Sequence, residues 1–255
     1  MGKVWMIASG KGGTGKTMLA AALAVTLAKH RHRVCVIDMD IGLRSIDLML
    51  GMENKTVFDF FDLAAGDCKL TEALVAHQSY PQLQLITASQ SENADAFKKE
   101  KLAKILKILK KQFDYILIDC PSGIGRMIGE IGSLADDCIL LTTADDMSMR
   151  AVERTASVLM DNKELYLHLA VNRVDRELIK NNLTMQPKQI ADFLGIPLIG
   201  EIPQNESIYR LQLEHKAAGE TTDKKLAAVF ESIALRMEGN EAEFETYRVR
   251  RTKWH

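Results

Sequence analysis

A doubly wound α/β fold, with a mostly parallel sheet and helices on both faces, is what this 255-residue sequence predicts, and three observations carry it. Short apolar runs rich in Val, Ile and Leu recur along the chain. Helical patterns lie between most of them. A glycine-rich loop follows the first run directly, in the strand-to-helix setting that a phosphate-binding loop requires.

The runs are Val4 to Ala8, Val34 to Ile37, Leu83 to Thr87, Tyr115 to Ile118, Cys138 to Thr142, Leu167 to Val171 and Leu198 to Ile202. Each reads as a strand covered on both faces. Helical patterns at Lys16 to His30, Lys98 to Gln112 and Met149 to Asn162 supply the crossovers, and such a sheet binds ligands at the carboxyl ends of its strands. Leu226, Val229, Phe230, Ile233 and Met237 form the stripe of a last core helix. Leu102, Ile105, Leu106 and Leu109 form another, whose lysine-rich exterior reads as a solvated face rather than a lipid or DNA surface. The expected organisation is one domain over residues 1–239, followed by a polar and basic tail over 240–255 that carries Arg248, Arg250, Arg251 and Lys253 with isolated Tyr247 and Trp254.

A net charge of −1 and a pI near 6.6 argue against a surface that traps nucleic acid wholesale, and specific nucleic-acid binding is not expected. The longest apolar stretch, Met18 to Val25, falls far short of the roughly 18–20 residues that span a bilayer, and the N-terminus lacks an export signal. Cys35, Cys68, Cys120 and Cys138 lack CxxC spacing and read as thiols in a reducing compartment, so the expected location is cytoplasmic. The six histidines form no HExxH or other metal-ligand spacing, and no metal beyond Mg²⁺ is indicated.

Gly10-Lys11-Gly12-Gly13-Thr14-Gly15-Lys16-Thr17 matches G-x-x-x-x-G-K-[ST] in full, which makes the expected fold that of the P-loop NTPases. The glycines let successive amide N–H groups converge on phosphate oxygens, and the following helix adds its unpaired N–H groups, with Met18 the next residue along. Lys16 can reach the β- and γ-phosphates of ATP and the Thr17 hydroxyl can ligate Mg²⁺. Asp38 and Asp40 follow the second strand, where an acid can hold metal-bound water or orient the nucleophile; a helix N-cap is the alternative for either. Asp119 closes a fourth apolar run and reads as a Mg²⁺ ligand acting through water, followed by a turn at Pro121 and Gly123.

Lys11, a second lysine inside the loop, is either a solvated surface residue or something more specific. Lys11-Gly-Gly-Thr-Gly-Lys-Thr17 resembles the deviant Walker-A signature of the MinD/ParA family of P-loop ATPases. Asp40-Ile-Gly-Leu-Arg44, Val57 to Phe60, Ala88-Ser-Gln90 and Cys120-Pro-Ser-Gly-Ile124 resemble its MinD branch, and the resemblance extends over roughly residues 3 to 238. It implies an ATP-dependent homodimer in which Lys11 crosses to the partner's nucleotide and Asp40 orients the attacking water. Asp119 supports Mg²⁺, and Pro121 and Gly123 belong to switch II. It further implies an adenine pocket at Asn172, Arg173, Pro203 and Gln204, although the family's acidic pair after the proline is Gln204-Asn205 here. Met18 stands where a threonine is common and Cys120 where a serine is.

The implied function is a slow ATPase switch that selects the division site, with a division inhibitor and an ATPase activator as partners. A membrane contact through the tail would place the ATP-bound form at the inner face of the cell membrane. Regulation of flagellar number and DNA partitioning use the same parts. A different class, the iron–sulfur carriers and ATP-driven reductases, needs cysteines meeting at a dimer interface, and Cys120 is the sole candidate.

Overall fold

The computed structural model describes residues 1–42, 44–53, 55–90, 92, 94–162 and 164–244. The strands are β1 (Lys3–Ala8), β2 (Val34–Asp38), β3 (Val75–Ala76), β4 (Leu83–Ile86), β5 (Tyr115–Asp119), β6 (Asp137–Thr143), β7 (Tyr166–Val174) and β8 (Leu198–Pro203). The helices are α1 (Lys16–Lys29), α2 (Ile46–Met49), α3 (Phe60–Ala65), α4 (Leu70–Ala73), α5 (Lys99–Gln112), α6 (Arg126–Gly132), α7 (Asp146–Met160), α8 (Arg176–Lys180), α9 (Pro187–Leu194), α10 (Glu206–Leu213) and α11 (Lys224–Met237).

Seven of the eight strands match the apolar runs read from the sequence, and they form one sheet in the order β3-β4-β2-β5-β1-β6-β7-β8. All pairings are parallel except β3 with β4. From β1 the chain winds out through β2 to β4, returns through β5, and then builds the other half as β6, β7 and β8. The carboxyl end of β1 therefore lies where the winding reverses, the crevice in which open α/β sheets bind ligands.

Alternation along the strands divides the core into two layers: Trp5 and Ile7 of β1 face one side, Val4, Met6 and Ala8 the other. The first layer is closed by α1 and α11, the second by α5, α6, α7 and α9. Helix α1 is buried from Met18 to Ala28, and its run of alanines and leucines is apolar all round, as a helix enclosed by protein requires. Leu226, Val229, Phe230, Ile233 and Met237 are buried on α11, and Leu102, Ile105, Leu106 and Leu109 on α5, with the lysines outward.

The edges of the sheet are short or covered. β3 contributes two residues at one rim. At the other, the Arg236 guanidinium donates to the Ile199 carbonyl of β8 at 2.8 Å and to the Ala242 carbonyl at 2.8 Å, and lies 3.8 Å from the Phe244 ring centroid. Residues 240–244, the start of the expected tail, thus lie against the domain. Arg248, Arg250, Arg251, Lys253, Tyr247 and Trp254 fall outside the described residues. Among the described residues no helix is long and apolar enough to cross a membrane.

Candidate nucleotide-binding site

The loop from Gly10 to Gly15 joins β1 to α1 at the reversal point, and two of its glycines are dictated by space. A Cβ on Gly10 would lie 2.1 Å from the Ala151 carbonyl oxygen of α7. Gly15 has a φ of 101°, and a Cβ there would lie 2.4 Å from Asn172 Nδ2. The loop is braced from within by the Ser9 hydroxyl, which donates to the Lys11 carbonyl at 2.8 Å. From outside, the Asn172 amide at the end of β7 donates to the Thr14 carbonyl at 2.7 Å and Arg173 donates to the Gly13 carbonyl at 2.9 Å.

Asn172 and Arg173, expected to face a base, therefore also clip the phosphate loop. The Asn172 side-chain oxygen accepts from the Arg173 amide at 2.8 Å, so one N–H and one lone pair remain for a ligand. Both residues line a cleft of about 210 Å³ with Gly15, Met18, Pro203 and Gln204. All four positions assigned to the adenine pocket thus converge beside the loop. Asn205, already noted after Gln204, joins the wall, and Ile208, Tyr209 and Gln212 of α10, which sequence reasoning passed over, complete it. The signal for them was the chain's direct entry into a helix after Pro203, with Asn205 as its N-cap.

Strands β2 and β5 are neighbours in register, so Asp38 and Asp119 lie side by side at the carboxyl edge. Both are fully buried. Asp38 accepts from the Asp40 amide at 2.9 Å through one oxygen, while its other oxygen and both oxygens of Asp119 have no hydrogen-bond partner. Burial pushes the Asp119 carboxyl up to about 7; the Thr17 hydroxyl, which forms no well-aligned hydrogen bond to it, and the Lys16 ammonium pull the other way, and Asp40 adds to the rise. Asp38 is driven well above the usual carboxylate range by burial and then by the charge of Asp119. Asp40 is half-buried and raised by burial against the pull of Lys16. A pair of buried carboxylates without partners is costly unless a cation joins it. With Thr17 adjacent, the donor set is all oxygen, as Mg²⁺ prefers. Thr17, Asp119 and Asp40 fit that ion.

The turn after β5 touches the loop. The Gly123 amide donates to the Ser9 carbonyl at 3.1 Å, and a Cβ on Gly12 would be 3.7 Å from the Ser122 hydroxyl, so Pro121 and Gly123 lie against the phosphate loop. On the side of β2, the Gly42 amide donates to the Ser89 carbonyl at 2.9 Å, joining the segment after Asp40 to Ala88-Ser89-Gln90.

Lys16 is buried, whereas Lys11 is 44% exposed with its ammonium 3.8 Å from Asp145, the N-cap of α7. Burial pushes the Asp145 carboxyl up, but the Thr143 and Ser148 hydroxyls, the Ser148 amide and Lys11 outweigh it and hold it at about 2. The two lysines thus have opposite settings: one built into the site, the other resting at its surface.

A model of the CobQ/CobB/MinD/ParA nucleotide-binding domain matches residues 5–218. The chain belongs to this family. Within the CobQ/CobB/MinD/ParA family it is 34% identical over 247 residues to a putative septum site-determining protein MinD of Guillardia theta, covering 96% of this chain and 91% of that one. Among solved structures it is similar to MinD in the MinC:MinD cell division complex of Aquifex aeolicus, with a TM-score of 0.88 at 30% identity, covering 96% of this chain and 100% of that one. It is also similar to the Pyrococcus horikoshii septum site-determining MinD complexed with Mg-ADP, with a TM-score of 0.81 at 26% identity over 93% of this chain and 96% of that one. The P-loop fold and the MinD/ParA membership read from the sequence both hold.

Two other expectations meet the structure differently. Cys120 is fully buried beside Cys138, and burial lifts its thiol well above the ordinary range, so it presents no sulfur to a surface cluster. The histidines, which showed no ligand spacing, are not all isolated: His30 and His32 gather with Glu238, more than 200 residues away along the chain.

Proposed function

We propose that this chain is an ATP-dependent switch that dimerises, hydrolyses ATP slowly to ADP and phosphate, and positions the division site. The observation that carries the reading is the contrast between the two loop lysines: Lys16 buried in the cradle and Lys11 half-exposed, its ammonium resting near Asp145. A cation placed there is free to leave its own subunit.

In this reading the amides from Gly10 to Thr17, with Met18, receive the phosphates, and Lys16 neutralises the β- and γ-phosphates. The cleft lined by Asn172, Arg173, Pro203 and Gln204 receives adenine. Thr17 would hold Mg²⁺ directly and Asp40 and Asp119 through water, where the ion supplies charge neutralisation on the phosphate oxygens. Asp40 orients a water for in-line attack on the γ-phosphorus as the bond to the bridging oxygen breaks. Lys11 of each subunit crosses to the other's nucleotide and offsets the charge that develops, which makes turnover depend on pairing. Pro121 and Gly123, the latter joined to Ser9 beside the loop, pass the state of the γ-phosphate to the surface.

Division-site positioning follows the names of the relatives, and the Aquifex complex supports a division inhibitor of the MinC kind as partner. The basic residues of 245–255 would add a membrane contact strengthened by pairing, at the inner face of the cell membrane. The test is steady-state ATPase against protein concentration, with sedimentation in ATP and in ADP. Specific activity should rise with concentration, and dimers should form with ATP alone. Lys11→Ala should remain monomeric and lose turnover while still taking up ADP. Concentration-independent turnover, or a Lys11→Ala variant that pairs and hydrolyses normally, would sink the reading.

A further inference from the structure

At the far end of α1 from the phosphate loop, the chain builds a second constellation that the nucleotide chemistry does not use. Helix α1 ends at His30, and Arg31 follows with a φ of 68°. The Arg31 amide donates to the Ala28 carbonyl and the His32 amide to the Leu27 carbonyl at 3.2 Å, a terminal turn that usually places glycine where Arg31 stands. The left-handed residue folds the chain back so that His30 and His32 both reach Glu238, at the end of α11. The His30 Nδ1 lies 2.7 Å and the His32 Nε2 2.9 Å from the same carboxylate oxygen, Oε1.

Neighbouring groups brace these three residues further. The second carboxylate oxygen of Glu238 accepts from the Asn240 side-chain amide at 3.3 Å. The His32 ring packs edge-on against Tyr115, with centroids 5.0 Å apart. The other nitrogen of His30, Nε2, lies 2.6 Å from the Glu231 carboxylate. A carboxylate on one imidazole nitrogen fixes the tautomer, leaving the opposite nitrogen with a lone pair to coordinate. Here the opposite nitrogen, Nδ1, donates its N–H to Glu238 in the ion-free protein, and a bound cation would take that proton's place while Glu231 keeps the Nε2–H.

The geometry points to a site for a borderline divalent cation, Zn²⁺ in particular, formed by His30 Nδ1, His32 Nε2 and Glu238 with Glu231 as the outer carboxylate. Two imidazoles and a carboxylate select Zn²⁺ and its neighbours over Mg²⁺, which takes oxygen donors. The three ligand atoms lie within 4.8 Å of one another. In a tetrahedral zinc site with bonds of about 2.0–2.1 Å, ligand atoms stand about 3.4 Å apart, so the present contacts of 2.7 and 2.9 Å open by about 0.5–0.7 Å to admit the ion. The fourth position is left to water. The ion would fasten the turn after α1 to the end of α11.

The test is calorimetric titration of Zn²⁺ into full-length protein stripped with EDTA, in buffer holding Mg²⁺ and ADP so that the phosphate-loop site is filled. One Zn²⁺ per chain is expected, together with a rise in Tm. Glu231→Gln should weaken it about 10- to 100-fold. His32→Ala and Glu238→Gln should weaken it further, while all three variants take up fluorescent ADP as the parent does. On the unsubstituted protein, Co²⁺ in place of Zn²⁺ should give the visible absorption of a four- or five-coordinate ion, which keeps the proposal open to refutation even if a variant misfolds. A parent protein that takes up no Zn²⁺, or a folded His32→Ala that binds it as the parent does, would overturn the site.

Discussion

Replacing Asp119 with Asn should stabilise the metal-free protein, and by an amount that depends on pH. The carboxyl titrates near 3.8 in an unfolded chain and near 7 when buried beside Lys16, Thr17 and Asp40. Between those values the folded protein holds a proton that the unfolded chain has released, so stability falls as pH rises through this window. Below it both states are protonated and the penalty is absent; above about 7 it is fully present. A gap of about three pH units corresponds to roughly 4 kcal/mol, and relaxation of neighbouring Asp38 trims the observable to about 2–4 kcal/mol. Asn has the size of the protonated carboxyl and never ionises. Urea unfolding of EDTA-treated parent and Asp119→Asn protein, at pH 4 and at pH 8, reads the effect. The variant should match the parent at pH 4 and exceed it at pH 8, and Mg-ADP should narrow the difference by stabilising the parent more than the variant. Equal stabilities at pH 8, or a difference independent of pH, would show that the unpartnered carboxylate is not the strained element described above.

Gly15→Ala should cost about 1.5–3.5 kcal/mol, from the positive φ and the lost Asn172–Thr14 bond, with nucleotide affinity falling in parallel. Because the added methyl displaces Asn172, the double variant with Asn172→Ala should cost little more than Gly15→Ala alone, and strict additivity in urea titrations would contradict this. Lys11→Ala should leave unfolding stability within about 1 kcal/mol of the parent, since the Asp145 contact is exposed, and a larger loss would mean that the lysine is structural. Aromatic disulfide reagents should label Cys68 in the native protein, slowly because partial burial and then the surrounding carboxylates raise its thiol, and reach Cys35, Cys120 and Cys138 only on unfolding. Rapid native labelling of a second thiol would reopen the cluster chemistry.

Most of the sheet was legible because its strands are buried on both faces and so read as unbroken apolar runs, as in Ile116-Leu117-Ile118. β3 was not, because two residues, one of them exposed, carry no pattern. The phosphate loop was legible because backbone geometry demands its glycines locally. What escaped was whatever depends on contacts across the fold. Lys11 announced itself, but its resting partner Asp145 belongs to another helix. Asn172 looked like a base-recognition residue, yet its amide spans 158 positions to reach Thr14. The histidines looked unremarkable because Glu238 is separated from His30 by 208 positions, and ligand spacing in sequence is informative only when one local segment supplies the ligands.

The guarded rims of the sheet also bear on how two copies can meet. A neighbouring molecule seeking free amides and carbonyls would find two residues at β3 and, along β8, Pro203, the Ile199 oxygen already taken by Arg236, and Phe244 nearby. Continuous strand exchange through these margins, the commonest route to uncontrolled assembly of a sheet, is thereby discouraged. In the switch proposed here, association would fall to the crown of loops, where it could be made and unmade with the ligand they surround.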